Sequence, residues 1–84
     1  MFRFYGKLYS IHNLDNVKQT GFYMYFLESG LPENIPEDSK MRGVILVLNC
    51  SGVHIVQVVF DIFGTLSFRI HVEEWSPWRK IKSV

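Results

Sequence analysis

The chain has 84 residues, of which 48% are hydrophobic and 20% charged, and a formal net charge of +1. This composition excludes a disordered chain, and the near-neutral charge excludes global steering toward nucleic acid or anionic lipid. A chain this short buries only about 60% of the surface that its unfolded form exposes, so association with further copies is a plausible way to enlarge its core.

Aromatic residues reach 15%, with seven Phe, four Tyr and two Trp. Rings in that proportion favour strands and supply apolar surface for an interface. The single cysteine, Cys50, cannot form an internal disulfide or a Cys-based metal framework, and its default role is a buried thiol. No apolar run approaches the roughly 20 residues that span a bilayer. Met1 to Ser10 alternates and carries Arg3 and Lys7, unlike a signal peptide. Synthesis in the cytoplasm without export is expected.

Residues 2–10 read as a half-buried strand, with Phe2, Phe4 and Leu8 on one face and Arg3, Tyr5, Lys7 and Tyr9 on the other. Asn13 to Val17 breaks it with at most a short helical turn, capped by Asn13 and presenting Leu14 and Val17 together. After Gly21, Phe22 to Leu27 is an aromatic strand. Residues 28–42 hold two prolines and four acids and read as a long polar loop, of the kind that is often functional or mobile.

Val44 to Leu48 is continuously apolar, so both its faces are buried or one meets a partner. Asn49 to Gly52 is turn chemistry, and residues 44–60 read as a hairpin. Leu66, Phe68, Ile70 and Val72 alternate with Ser67, Arg69 and His71 and read as a half-solvated strand. Pro77 suits an edge or a bulge. The expected fold is mainly β, one domain over 1–84. It has five to six mostly antiparallel strands in a small sheet, a sandwich or a barrel-like form.

The chemical motifs are sparse. His12, His54 and His71 have no nucleophile elbow to serve, and His54 reads as a core or interface histidine beside Val56, Val58 and Phe60. An enzyme is not expected. His71 and Glu73 share a strand face, but two ligands do not make a metal site. A three-fold assembly could still build one from a single histidine per chain. Neither a phosphate loop nor a cofactor motif appears. Arg79 and Lys80 follow two tryptophans without the wider basic patch that nucleic acid requires. Sugar contact has more support. Trp75, Tyr23 and Tyr25 offer rings, and Asn49, Gln57, Glu73 and Glu74 offer acceptors. Trp78 reads better as packing the end of the sheet.

Trp75-Ser76-Pro77-Trp78-Arg79-Lys80-Ile81 resembles the ending of pyocin-knob-like domains, found in R-type pyocin tail fibres and phage tail-fibre and baseplate proteins. Asn13 to Val17 followed by Thr20-Gly21-Phe22-Tyr23 is similar to the opening of that family. Leu31-Pro32 and Gly43 to Val47 are similar to its centre. Val56-Gln57-Val58, Gly64 and Arg69 are similar to the segment that follows. Gly21, Gly43, Trp75, Pro77 and Trp78 are the structural positions of the motif set.

The resemblance implies a β-rich fold, a homo-oligomer with a trimer favoured, and other phage tail proteins as neighbours. It implies a structural role with host-surface receptor or glycan contact, and a place in the virion tail or in the cytoplasm during assembly. The competing reading is a stand-alone bacterial carbohydrate-binding or small regulatory protein.

Overall fold

The computed structural model of the chain describes residues 2–81, and Lys82 of the C-terminal basic run lies outside them. Six strands form one sheet in sequence order: β1 (Phe4–Leu8), β2 (Gly21–Phe26), β3 (Arg42–Asn49), β4 (Ile55–Asp61), β5 (Leu66–His71) and β6 (Arg79–Ile81). The helical elements among the described residues are two short 3-10 turns, Leu14–Asn16 and Leu27–Ser29. The fold is therefore mainly β, as expected. Of the forms considered, it is the open sheet and not the sandwich or barrel.

Strands β2 to β6 pair antiparallel, and β1 pairs parallel to β2. A parallel pair needs a crossover of about a dozen residues. Residues 9–20 supply it and carry the first 3-10 turn over one face of the sheet. Asn13 caps that turn, its side-chain oxygen accepting from the Asp15 amide at 2.9 Å.

The strict alternation expected of residues 2–10 breaks at Gly6. The register slips between Phe4 and Lys7, and Gly6 takes a φ of 101°, a conformation that residues with a Cβ rarely adopt. Phe4 stands opposite Phe22 and Lys7 opposite Met24, while Leu8 stands opposite Tyr25 and is buried. Phe4 and Leu8 therefore face opposite sides.

The two faces of the sheet differ in what covers them. One carries Tyr23, Tyr25, Ile45, Val47, Ile55, Gln57, Val59, Ser67 and Arg69, all buried. The crossover and residues 28–42 lie over it. Leu14 and Val17 come from the first, and Leu31 and Ile35 from the second. The long acidic loop is thus a lid on the core. Its backbone is tied to the crossover, with Leu14 N donating to Glu33 O at 3.0 Å and Glu33 N to His12 O at 2.9 Å.

The other face is apolar except at its ends, where Lys7, Arg42 and Arg79 stand. Register sets Phe4, Phe22, Leu46, Val58 and Phe68 in one row. Met24, Val44, Phe60, Leu66 and Ile81 make a second row, and Leu48, Val56 and Ile70 a third. No segment of the described chain lies across these rows, and Leu48, Phe60 and Ile70 each keep more than 40% of their surface exposed. The continuously apolar strand Val44 to Leu48 thus has one face in the core and one on this open surface.

This arrangement inverts the reading of β5. Ser67 and Arg69 are the buried set, and Leu66, Phe68 and Ile70 face outward. Two further expectations are corrected. Cys50 is exposed in the turn after β3. His54 precedes β4 and is exposed, its ring 3.3 Å from the Ser51 hydroxyl, and so is not a core histidine.

Candidate functional site

The sequence-predicted residues do not gather in one place. Tyr25 is fully buried and its hydroxyl donates to Ser39 O at 2.8 Å. Tyr23 is buried and donates to Gln19 O at 3.1 Å. Burial holds both phenols above their ordinary pKa, that of Tyr25 far above. Tyr25 therefore has no ring face to offer a sugar and is corrected from a ligand candidate to a core residue. Tyr23 belongs to the same core cluster and also borders a hollow at the β1 edge. Glu73 and Glu74 are exposed between β5 and the tryptophan segment, and only Glu74 shares a hollow with Trp75.

The two tryptophans are organised by a residue not singled out as a site. Arg69 is 5% exposed and lies in β5 beneath them. Its guanidinium carbon is 4.1 Å from the Trp75 ring centre and 4.7 Å from that of Trp78. Its Nε donates to Gln57 Oε1 at 2.9 Å. Gln57 Nε2 in turn donates to Leu14 O at 2.7 Å and Val17 O at 2.9 Å. Arg69 Nη1 pairs with Asp15 Oδ1 at 3.0 Å, a charge contact poorly aligned for a hydrogen bond. Burial lowers the pKa of the guanidinium, and Asp15 opposes that shift.

Both indoles spend their N–H groups on the covering loops, Trp75 on Asp15 O at 3.2 Å and Trp78 on Asn34 O at 2.8 Å. The segment Trp75 to Trp78 is thus a clamp that pins crossover and lid to the sheet. Cation–π contact and the hydrogen bonds of Arg69 Nε, Gln57 and the two indoles hold it, while Arg69 Nη2 and Asp15 Oδ1 are buried without a hydrogen-bond partner. Pro77 lies between the tryptophans, outside any strand, and Ser76 N donates to Ile70 O at 2.9 Å. A shallow hollow of about 600 Å³ lies over this clamp, bordered by Asn34, Glu37 and Glu74.

The motif glycines are also structural. A Cβ on Gly43 would come within 2.2 Å of Phe60 O and 2.8 Å of the Tyr25 hydroxyl. One on Gly21 would come within 2.4 Å of Arg3 O, where β1 crosses close to β2. Only Gly allows these approaches.

The histidines are apart in local roles. His12 Nδ1 accepts from Tyr9 N at 2.8 Å, and His71 Nδ1 lies 2.9 Å from Val53 O with its ring edge-on to Trp75. Among the described residues no cluster of three or more His, Cys, Asp or Glu could hold a metal ion. No helix among them is long and apolar enough to cross a membrane.

The apolar sheet face is the larger candidate site. A solvated face of an antiparallel sheet is normally polar. Here it carries Phe, Leu, Ile, Val and Met, and the charged residues it includes, Lys7, Arg42 and Arg79, stand toward its ends. A contiguous exposed apolar surface of this extent is unusual for a solvated sheet face.

No protein-family model and no curated protein matches the chain. Among solved structures, it is similar to a selenomethionine structure of an N-truncated R2-type pyocin tail fibre, with a TM-score of 0.77 and 27% sequence identity. The match covers 94% of this chain and 32% of that one, so the chain spans about a third of the fibre fragment. Motif order and three-dimensional fold now agree: this chain has the fold of a pyocin tail-fibre module, of the pyocin-knob-like kind that its sequence resembles.

Proposed function

We propose that the chain is a non-enzymatic structural module of a phage or pyocin-type tail apparatus. It associates with further copies through its apolar sheet face, a trimer being the favoured state, and turns its loop-covered face toward host-surface glycans. The observation that carries this reading is the uncovered apolar face. A six-stranded sheet with one side apolar across three rows is incomplete as a monomer, and a second copy brings the same kind of surface. The likeness to a pyocin tail fibre supports the setting. The separate local engagements of His12, His54 and His71 support the absence of catalysis.

Sedimentation across a concentration series tests it. The chain should sediment as an oligomer, with an unfolding temperature that rises with concentration. Val58→Lys, placing a charge at the centre of the face, should shift it to monomer. A clean monomer at high concentration with a concentration-independent unfolding temperature overturns the reading. For glycan contact, Glu74→Gln should weaken adhesion to host cell envelope while leaving the oligomer intact, and unchanged adhesion removes Glu74 from the contact.

A further inference from the structure

A second hollow, of about 560 Å³, opens at the β1 edge on the loop-covered side. Its wall includes Tyr5, stacked on Tyr23 at 5.2 Å, and Arg3 lies outside the lining, 4.9 Å over the Tyr5 ring. Its floor and rim include His12, Asn16, Lys18 and Gln19. Asn16, Lys18 and Gln19 are exposed.

The segment that presents them is pinned at successive residues. Asn49 Nδ2 donates to Lys18 O at 2.8 Å, the Tyr23 hydroxyl donates to Gln19 O at 3.1 Å, and Thr20 Oγ1 accepts from Asn49 N at 2.9 Å. His12 is fixed as well. Because its Nδ1 accepts from the Tyr9 amide, its neutral ring carries the proton on Nε2 and offers a donor. A site whose backbone is already held binds without a backbone ordering cost, leaving only that of the side chains.

Charge separates this hollow from the others. The hollow over the tryptophan clamp mixes Asp15, Glu37 and Glu74 with Arg69, and those beside the lid mix Glu37 and Asp38 with Arg79 and Lys80, or Glu33 and Glu37 with Lys40. The β1-edge hollow has no acid. Lys18 and Arg3 have no anionic partner among the described residues, and Lys7, which also borders it, is hydrogen-bonded to the Ser29 hydroxyl.

We propose that this basin binds an anionic sugar, a saccharide unit carrying a carboxylate or a phosphate. Lys18 supplies the charge, and His12 Nε2–H, Asn16 and Gln19 supply hydrogen bonds to the ring substituents. The inference rests on the glycan-facing orientation proposed above and gives that face its ligand class. Tyr23 lies on the side of β2 opposite Phe22, so the basin stays open when the apolar face is covered.

Amide resonances of the whole chain are followed as glucuronic acid, glucose monophosphate, glucose and inorganic phosphate are added. Both anionic sugars should shift residues 16–19, saturably and less at high salt, while glucose and inorganic phosphate should bind at least about tenfold more weakly. Lys18→Glu should weaken both anionic sugars by about tenfold or more, and Lys18→Arg should restore them. Binding of glucose as strong as that of glucuronic acid overturns the proposal, and so does inorganic phosphate matching glucose monophosphate, or shifts centred on Glu74 and Trp75. Sedimentation of the same samples reports the oligomer separately, so a failed sugar titration is told apart from a failed assembly.

Discussion

The two faces of this one sheet solve burial in opposite ways. The covered face is partly polar and is closed by the chain's own loops through a connected network of Gln57, Arg69, Asp15, Trp75 and Trp78. The open face is apolar except for Lys7, Arg42 and Arg79 toward its ends, and has no loop across it. A polar core must find its partners inside the same chain, because each unpaired buried group costs free energy. An apolar face has no such need and can wait for any complementary surface. The difference shows that hydrophobicity alone does not say which side of a sheet is the inside.

The contrast can be broken most strongly at Arg69. Arg69→Leu leaves Asp15 and Gln57 without their partner and opens the gap between the two indoles. Loss of a charged hydrogen-bond partner from this network costs about 1–3 kcal/mol. In urea the midpoint should fall steeply, and the variant should lose the fluorescence of packed tryptophans together with its fold. A loss below about 1 kcal/mol would mean that the clamp is ornamental and the covered face is held by Leu14, Ile45 and Val59 alone.

Gly43→Ala comes next. The added methyl meets Phe60 O on β4 and the Tyr25 hydroxyl on β2, which belong to strands on either side of β3. Overpacking of this kind costs about 1–3 kcal/mol. Thermal unfolding should register it. Adding Tyr25→Phe, which removes one of the two obstructing atoms, should recover part of the loss.

Much of the fold was legible in sequence, and the failures share a cause. Alternation located β1 and β5, an aromatic run located β2, and a continuous apolar run with its hairpin partner located β3 and β4, with Gly-containing turns between them. Alternation also separated Ser67 and Arg69 from Leu66, Phe68 and Ile70 correctly. It assigned them the wrong sides, because it cannot tell which side the loops will cover. The parallel pairing of β1 and the slip at Gly6 depend on a crossover whose path is tertiary. Tyr23 and Tyr25 were offered as sugar platforms from ring type alone, yet their alternation with Phe22, Met24 and Phe26 only showed that one set was buried. Gln57 and Arg69 were visible as motif residues, and their joint burial is what a motif that keeps two polar groups in adjacent strands encodes.

Alkaline pH probes the covered face more gently. Burial raises the pKa of Tyr25 and Tyr23 in the folded chain above the unfolded value of about 10. A phenol with a raised folded pKa contributes nothing to the pH dependence below about pH 10, where both states are neutral. Above it the unfolded chain ionises first and stability falls. Thermal unfolding should therefore be level near neutrality and drop above about pH 10. Tyr25→Phe should cost about 1 kcal/mol at neutral pH by leaving Ser39 O unpaired, and should then fall less steeply on the alkaline side. An unchanged alkaline slope would place Tyr25 outside the linkage.

The smallest effect on the isolated fold is expected on the open face, and that is where the comparison sharpens. Phe60 and Ile70 are each more than 40% exposed, on neighbouring strands and in different rows. Phe60→Thr and Ile70→Thr place a β-branched side chain suited to a strand and remove apolar surface from the side that no loop covers. The unfolding free energy of the monomer should change by about 0.5 kcal/mol or less for each, measured at a dilution where association is lost. Self-association read by sedimentation should weaken by about tenfold for each, the scale of 1–2 kcal/mol for apolar area lost from an interface. If the monomer is destabilised as much as the assembly, the open face is part of the chain's own core and the two faces do the same job. If association weakens while the monomer holds, each face is closed separately, one by its own loops and one by another copy.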